Sequence, residues 1–228
     1  MKIISIYHRL LLPEEDRAAY DRILACWLHQ DSVVVLSKLK YSLKSNTTTI
    51  VQAVALDHPE IFWVDYYQFI EKRQLFSISL VFNYYQSYQE RMTIEKTITG
   101  WKNQIIGHLP LYASAEEKYR LLYDYLSREV SYAERGQMYS HTLLGCVPQF
   151  GHSAVCEGIA KCYKYLCNAI SLPCVIVTGT LETSDHRAIP HAWNMIPSLN
   201  GPKYSDILSP GVFLREKEEM FGHYRERR

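Results

Sequence analysis

The sequence predicts an α+β fold, and three observations predict it. Helix-like segments dominate the first half. A helix with a long apolar face follows in the second half, and the stretches after it alternate short apolar runs with turn residues, which is the order of a helix laid on antiparallel strands. Residues 13–30 open on Pro13-Glu14-Glu15-Asp16 and continue with Leu24, Cys26, Trp27 and Leu28, a proline and acids ahead of apolar residues at helical spacing. Asp57-His58-Pro59-Glu60 then breaks the chain before Ile61-Phe62-Trp63-Val64, which reads as a strand. Leu75 to Phe82 is rich in β-formers, and Ser87 to His108 carries a long polar helical pattern. Leu109-Pro110 marks the boundary between an N-terminal extension of helices and strands, residues 1–110, and a core, residues 111–228.

Beyond that boundary, Ser114 and Glu117 form a capping box for a helix bearing Tyr119, Leu122, Tyr123 and Leu126. Residues 132–153 read as a loop rich in glycine and polar residues. Val155, Ile159, Cys162, Tyr163, Leu166 and Ile170 then fall three and four apart and make one face of a helix that Pro173 ends. Cys174 to Val177 reads as a buried strand bounded by Gly179. Ala192–Ile196 and Lys203–Leu208 read as two more strands, joined by a hairpin loop over Pro197–Pro202. The tail Arg225-Glu226-Arg227-Arg228 reads as a solvated end.

Composition narrows the function. Of 228 residues, 47% are hydrophobic and 21% charged, which fits a packed domain and argues against disorder. A net charge of +1 supplies no strong field for nucleic acid or anionic lipid, so neither is expected as a partner. No apolar run approaches the ~18 residues of a bilayer span. The apolar opening breaks too early for a secretory signal, so the six cysteines are expected to be reduced and the chain cytoplasmic. No Cys-x-x-Cys or His-Glu-x-x-His spacing appears, and no calcium loop, so no metal or other cofactor is expected.

Three residues could carry chemistry together. Cys156 falls in the first turn of its helix, where unpaired N–H groups and the positive end of the helix dipole favour a thiolate. His191 lies about 35 residues downstream, at the start of an extended segment, and Asp206 lies in the strand across the hairpin loop. A four-residue loop over Pro197–Asn200 would set Asp206 directly opposite His191. A two-residue turn at Asn200-Gly201 would set it opposite Met195, still on the His191 face. Either way the carboxylate could hold one ring nitrogen while the other meets the thiol. Read singly, a cysteine is a small core residue, and Cys162, Cys167 and Cys174 keep that reading. Asp185-His186 is a rival dyad in a polar loop.

Ala154-Val155-Cys156-Glu157-Gly158-Ile159-Ala160, Leu172-Pro173-Cys174, Thr178-Gly179, His191-Ala192-Trp193-Asn194, Tyr204 and Asp206 resemble, in order and spacing, the transglutaminase-like cysteine protease superfamily. The resemblance covers roughly residues 114–208, and Asp57 to Trp63 resembles the segment that precedes the core in bacterial members. It implies a nucleophile helix packed on an antiparallel sheet, with Cys156 as nucleophile, His191 as general base and acid, and Asp206 as its orienter. Trp193 would wall the groove, although it reads equally as a core residue. Gln149 and His152 would be candidates for a side-chain oxyanion donor, and each also reads as an ordinary loop residue.

The chain departs from the family pattern at Ile159, where Tyr is common, and at Ile207-Leu208-Ser209, where a Thr-Trp-Asp run is common. The short Cys–His spacing differs from the ~130–150 residues of papain-type proteases. The implied activity is acyl transfer on peptide or glutamine amide bonds, hydrolysis ahead of amine transfer, with a peptide or protein as substrate. The alternatives are a protein-glutamine transglutaminase and a retired, non-catalytic binding module.

Overall fold

The computed structural model describes residues 6–37, 43–133, 137–182, 186–198, 200–209, 212–216 and 224–226. The chain divides into two compact units, Met1–Thr97 and Ile98–Arg228. Helices and antiparallel sheets make both a mixed α+β architecture.

The first unit runs α1 (Tyr7–Leu11), α2 (Glu14–His29), β1 (Val33–Ser37), α3 (Thr47–Asp57), β2 (Val64–Arg73) and β3 (Ser77–Tyr84). The strands pair antiparallel in the order β1-β3-β2. Ala19, Tyr20, Ile23 and Trp27 of α2 are buried, as are Ile50, Val51 and Val54 of α3 and Leu36, Leu80 and Phe82 of the sheet. Trp27 meets Phe82 edge-on at 5.4 Å between ring centroids. Two buried carboxylates tie the chain ends of helices together: Asp57 accepts the N–H groups of His8 and Arg9 and the Tyr20 hydroxyl, and Asp16 accepts those of Lys44 and Ser45. Ile61, Phe62 and Trp63 are buried as their apolar character predicts, yet they precede the strand. Ile61 closes a turn onto the His58 carbonyl, and extended pairing begins only at Val64.

Helix α4 (Tyr88–Gly107) crosses from one unit to the other. In the second unit, α5 (Ala115–Glu129) starts on the expected capping box, with the Ser114 side chain accepting from Glu117 N–H and Glu117 accepting from Ser114 N–H. Two short strands, β4 (Ser131–Tyr132) and β5 (Ser153–Ala154), pair parallel. They flank a loop of two 3₁₀ turns, Leu143–Cys146 and Pro148–Phe150. Helix α6 (Cys156–Ala169) follows, then β6 (Val175–Glu182), β7 (Ala188–Ile196), β8 (Lys203–Ser205) and β9 (Tyr224–Glu226), an antiparallel sheet in the order β8-β7-β6-β9. The tail expected to be solvated therefore supplies an edge strand, pairing Gly179 with Glu226 and Leu181 with Tyr224.

Helix α6 is buried on nearly all sides, between α5, the 3₁₀ turn at Leu143–Cys146 and strands β6 and β7. Two glycines permit that. A Cβ on Gly158 would collide with the carbonyl oxygens of Ser140 and Thr142, and one on Gly145 would lie 2.7 Å from the Ser153 carbonyl oxygen. The backbone of 140–145 thus rests directly on the first turn of α6. Among the described residues, no helix is long and apolar enough to cross a membrane.

Candidate active site

Cys156 is the first residue of α6, and it is half-buried, while the other five cysteines are free and buried. Val155 is the N-cap and offers no side-chain acceptor to the first-turn N–H groups. The Val155 N–H itself is held by the Ser140 carbonyl at 3.0 Å. Burial pushes the Cys26 thiol up to about 11, and it raises Cys162 and Cys167 well above the ordinary thiol range.

His191 lies on β7, opposite Gly179 of β6, with 8% of its surface exposed. Its Nε2 is 2.8 Å from Oδ2 of Asp206, which is itself 2% exposed. With Nε2 so engaged, Nδ1 is the ring nitrogen left for the hydrogen bond with Cys156. Burial alone would lower the imidazole. The hydrogen bonds and charges of Asp206 and Cys156 outweigh it and push His191 up to about 9.

The hairpin that joins these residues differs from both expected registers. Asn194 faces Ser205, Met195 faces Tyr204, and β8 ends at Ser205, so Asp206 sits on the turn just after the strand. Extending the register puts Asp206 beside Trp193, two residues from His191 and on the same face. Parity, which decides the face, survives the shift; direct opposition does not. The turn fixes the carboxylate: Leu208 N–H donates to Oδ1 at 3.1 Å, Ser209 Oγ to Oδ2 at 2.8 Å, and Tyr123 Oη to the Asp206 carbonyl at 3.2 Å. The Asp206 N–H in turn donates to the Val212 carbonyl.

Asn194 clamps the sheet to the nucleophile helix. Its Nδ2 donates to the Ala160 carbonyl at 3.0 Å and approaches Cys174 Sγ at 3.4 Å, which sets β7 against α6 and so His191 against Cys156. Trp193, expected as a groove wall, is 2% exposed and lies nearly parallel to the His191 ring at 6.0 Å. It packs behind the imidazole instead of lining an open surface. Gln149 lies exposed on the second 3₁₀ turn. His152 adopts a left-handed backbone, φ 52°, and its Nε2 is buried with no hydrogen-bond partner. His186 is exposed and pairs with Glu182 at 2.9 Å; Asp185, its expected partner, lies outside the described residues.

Two further features were not expected. Glu157, next to the cysteine, makes a buried ion pair with Lys161 at 2.8 Å, one turn on, and the Lys161 ammonium also donates to the His141 carbonyl. Tyr132 of β4 pairs with Ala154, and its phenol is raised by partial burial and by Cys156. No hydrophobic period marks either. Strands of two residues are too short to show one, and the parallel pairing joins segments more than twenty positions apart. Among the described residues, no group of three or more His, Cys, Asp or Glu side chains is arranged to hold a metal ion.

No family model matches the chain, and no curated protein does. A solved structure described as "Crystal structure of a TGase" aligns with 66% of this chain at 12% identity and a TM-score of 0.43. The alignment takes in 47% of that structure, so the chain spans about half of its neighbour's length.

Proposed function

We propose that the protein is a cysteine-dependent acyl-transfer enzyme of the transglutaminase-like type, in which Cys156, His191 and Asp206 act as nucleophile, general base and acid, and orienter. The observation that carries this reading is the chain of contacts from the half-buried sulfur through the His191 ring to the buried Asp206 carboxylate. Any one of these residues could be structural. A thiol at an uncapped helix start, whose histidine partner is held by a second buried acid, has the parts that acyl transfer needs.

Cys156 Sγ attacks the amide carbonyl carbon as its proton passes to His191 Nδ1, and Asp206 stabilises the imidazolium through Nε2. The carbonyl oxygen becomes an oxyanion facing the N–H groups of the α6 first turn, with His152 Nε2 as the candidate second donor. As the tetrahedral adduct collapses, the C–N bond breaks and His191 returns its proton to the leaving amine. Water then attacks the thioester, His191 takes its proton, and the departing sulfur receives it. Bulk water needs no binding site of its own, so hydrolysis runs ahead of amine transfer. The substrate is a peptide or protein, and Gln149 on its exposed turn contacts it.

The test is to trap the acyl-enzyme. A library of peptide amides is incubated with the protein, quenched in acid and analysed by mass spectrometry. An adduct confined to Cys156, absent in Cys156→Ala and strongly reduced in His191→Ala, which lacks the base and acid for acylation, is the expected result. A protein that binds peptides without any adduct would be the retired module instead.

A further inference from the structure

Strand β4 offers an open edge beside the proposed nucleophile. Ser131 N–H donates to the His152 carbonyl at 3.1 Å and Ala133 N–H to the Ala154 carbonyl at 3.1 Å. In a parallel ladder these bonds straddle the residue between them, so the N–H and C=O of Tyr132 point away from β5. Among the described residues neither group makes a hydrogen bond. The side chain is as available as the main chain, with Tyr132 61% exposed. Tyr132 is the register partner of Ala154, and Cys156 is two residues beyond. A peptide on this edge lies one strand spacing beyond β4, about 10 Å across from β5, and Cys156 lies about 7 Å further along, so about 12 Å separates the two, the span of about four extended residues. The phenol and the sulfur also interact electrostatically.

Resting on the acyl-transfer reading, we infer that the acyl donor is an extended polypeptide segment, that its main chain pairs with the open edge of β4 at Tyr132, and that the Tyr132 ring packs over the substrate side chain beside the pairing. An unpaired strand edge takes up extended peptide through main-chain hydrogen bonds, and pockets or rings beside it read alternate side chains. An exposed tyrosine offers an apolar face for that contact at little entropic cost. About four residues between the paired position and the reacting carbonyl cover the distance past β4 to Cys156. Free amino-acid amides, which have no flanking main chain, would lack this hold.

The experiment compares three electrophiles that alkylate Cys156, each by forming a C–S bond as halide leaves. Iodoacetamide has no peptide main chain. An acetylated pentapeptide chloromethyl ketone has it, and an N-methylated analogue lacks only the N–H four residues from the reacting carbon. The second-order rate constant at Cys156 is read for each by mass spectrometry of the digested protein. On the unaltered protein, the parent ketone should react about tenfold faster than its N-methyl analogue. Tyr132→Ala should lower the ratio of the ketone rate to the iodoacetamide rate about fivefold. Equal rates for parent and N-methyl ketone overturn the inference even if the variant does not fold, and an unchanged ratio in Tyr132→Ala overturns the role of the ring. Failure of iodoacetamide to label Cys156 counts against the acyl-transfer reading, and the inference goes with it.

Discussion

Replacing Asp206 with Asn changes one oxygen for an NH₂ and should separate chemistry from folding. His191 sits at about 9, some 2.5 units above an ordinary histidine, against a burial effect that opposes protonation. At 1.36 kcal/mol per unit that is about 3 kcal/mol at most of preference for the imidazolium. An opposite charge within 4–6 Å moves a pKa by roughly 1–3 units, so Asp206→Asn should drop the His191 pKa by about that much. The amide also faces a conflict of donors. With its oxygen kept on Leu208 N–H, its nitrogen meets Nε2 and demands the tautomer with hydrogen on Nδ1, which cannot accept the Cys156 proton.

Turnover should fall by about 10³- to 10⁴-fold, as in other triads with the wrong tautomer. The stability cost should depend on pH. Folding raises the His191 pKa, so its contribution is complete below about 6.5 and is lost as pH climbs through about 9. The variant's deficit in urea unfolding should therefore be largest near pH 6 and shrink towards pH 9. NMR titration of the His191 ring and kcat on a trapped substrate give the two readouts. Turnover within threefold of the parent, or an unmoved ring titration, would refute the argument. Asp185→Asn is the contrast and should leave both nearly unchanged.

At pH 6, iodoacetamide should label Cys156 well before the other five cysteines, which are buried; uniform slow labelling in peptide mapping would contradict a poised thiol. Gly158→Ala drives a methyl group into the carbonyls of Ser140 and Thr142 and should destabilise by about 1–3 kcal/mol, read as a lower urea midpoint. Val155→Ser adds a side-chain acceptor at the α6 N-cap, so turnover should fall while the melting temperature holds or rises by the equivalent of about 1 kcal/mol. With a Gln-containing peptide and a labelled primary amine, hydrolysis should exceed amine incorporation and persist with a chelator, as expected of a sequence that carries no calcium loop; calcium-dependent incorporation as the main product would reverse that assignment.

The helices were legible because each carries its own signals. Periodicity and caps located α2, α4, α5 and α6 to within a residue or two. Strand β1 and helix α3 went unread. The apolar run of β1 is only four residues long, and α3 begins with three threonines, poor helix formers, after an asparagine cap. Cys156, His191 and Asp206 were legible through residue type and spacing, and the alternation of strand faces put His191 and Asp206 together even though the register was off by a pair. Asn194 stood in the quoted motif without a role, because its partners Ala160 and Cys174 lie on other elements. Ser209 holds the acid from a position where the family pattern differs, so a family-level comparison pointed away from it.

The start of α6 shows why local rules and the site part company. Helices α3 and α5 satisfy their first-turn donors with Asn46 and with the Ser114–Glu117 box, as the rules for helix starts require. Helix α6 begins on a valine, which offers nothing, although a good cap is worth about 1 kcal/mol. That omission is supported from outside the helix: the Val155 N–H rests on the Ser140 carbonyl, Gly158 admits the 140–142 backbone, and Glu157 and Lys161 close a buried ion pair on the same turn. A side-chain cap would stabilise the helix by occupying the donors that the oxyanion of the proposed reaction would need. The uncapped start and the half-buried cysteine are thus one feature, and a local rule is broken where the proposed chemistry would use the first-turn N–H groups.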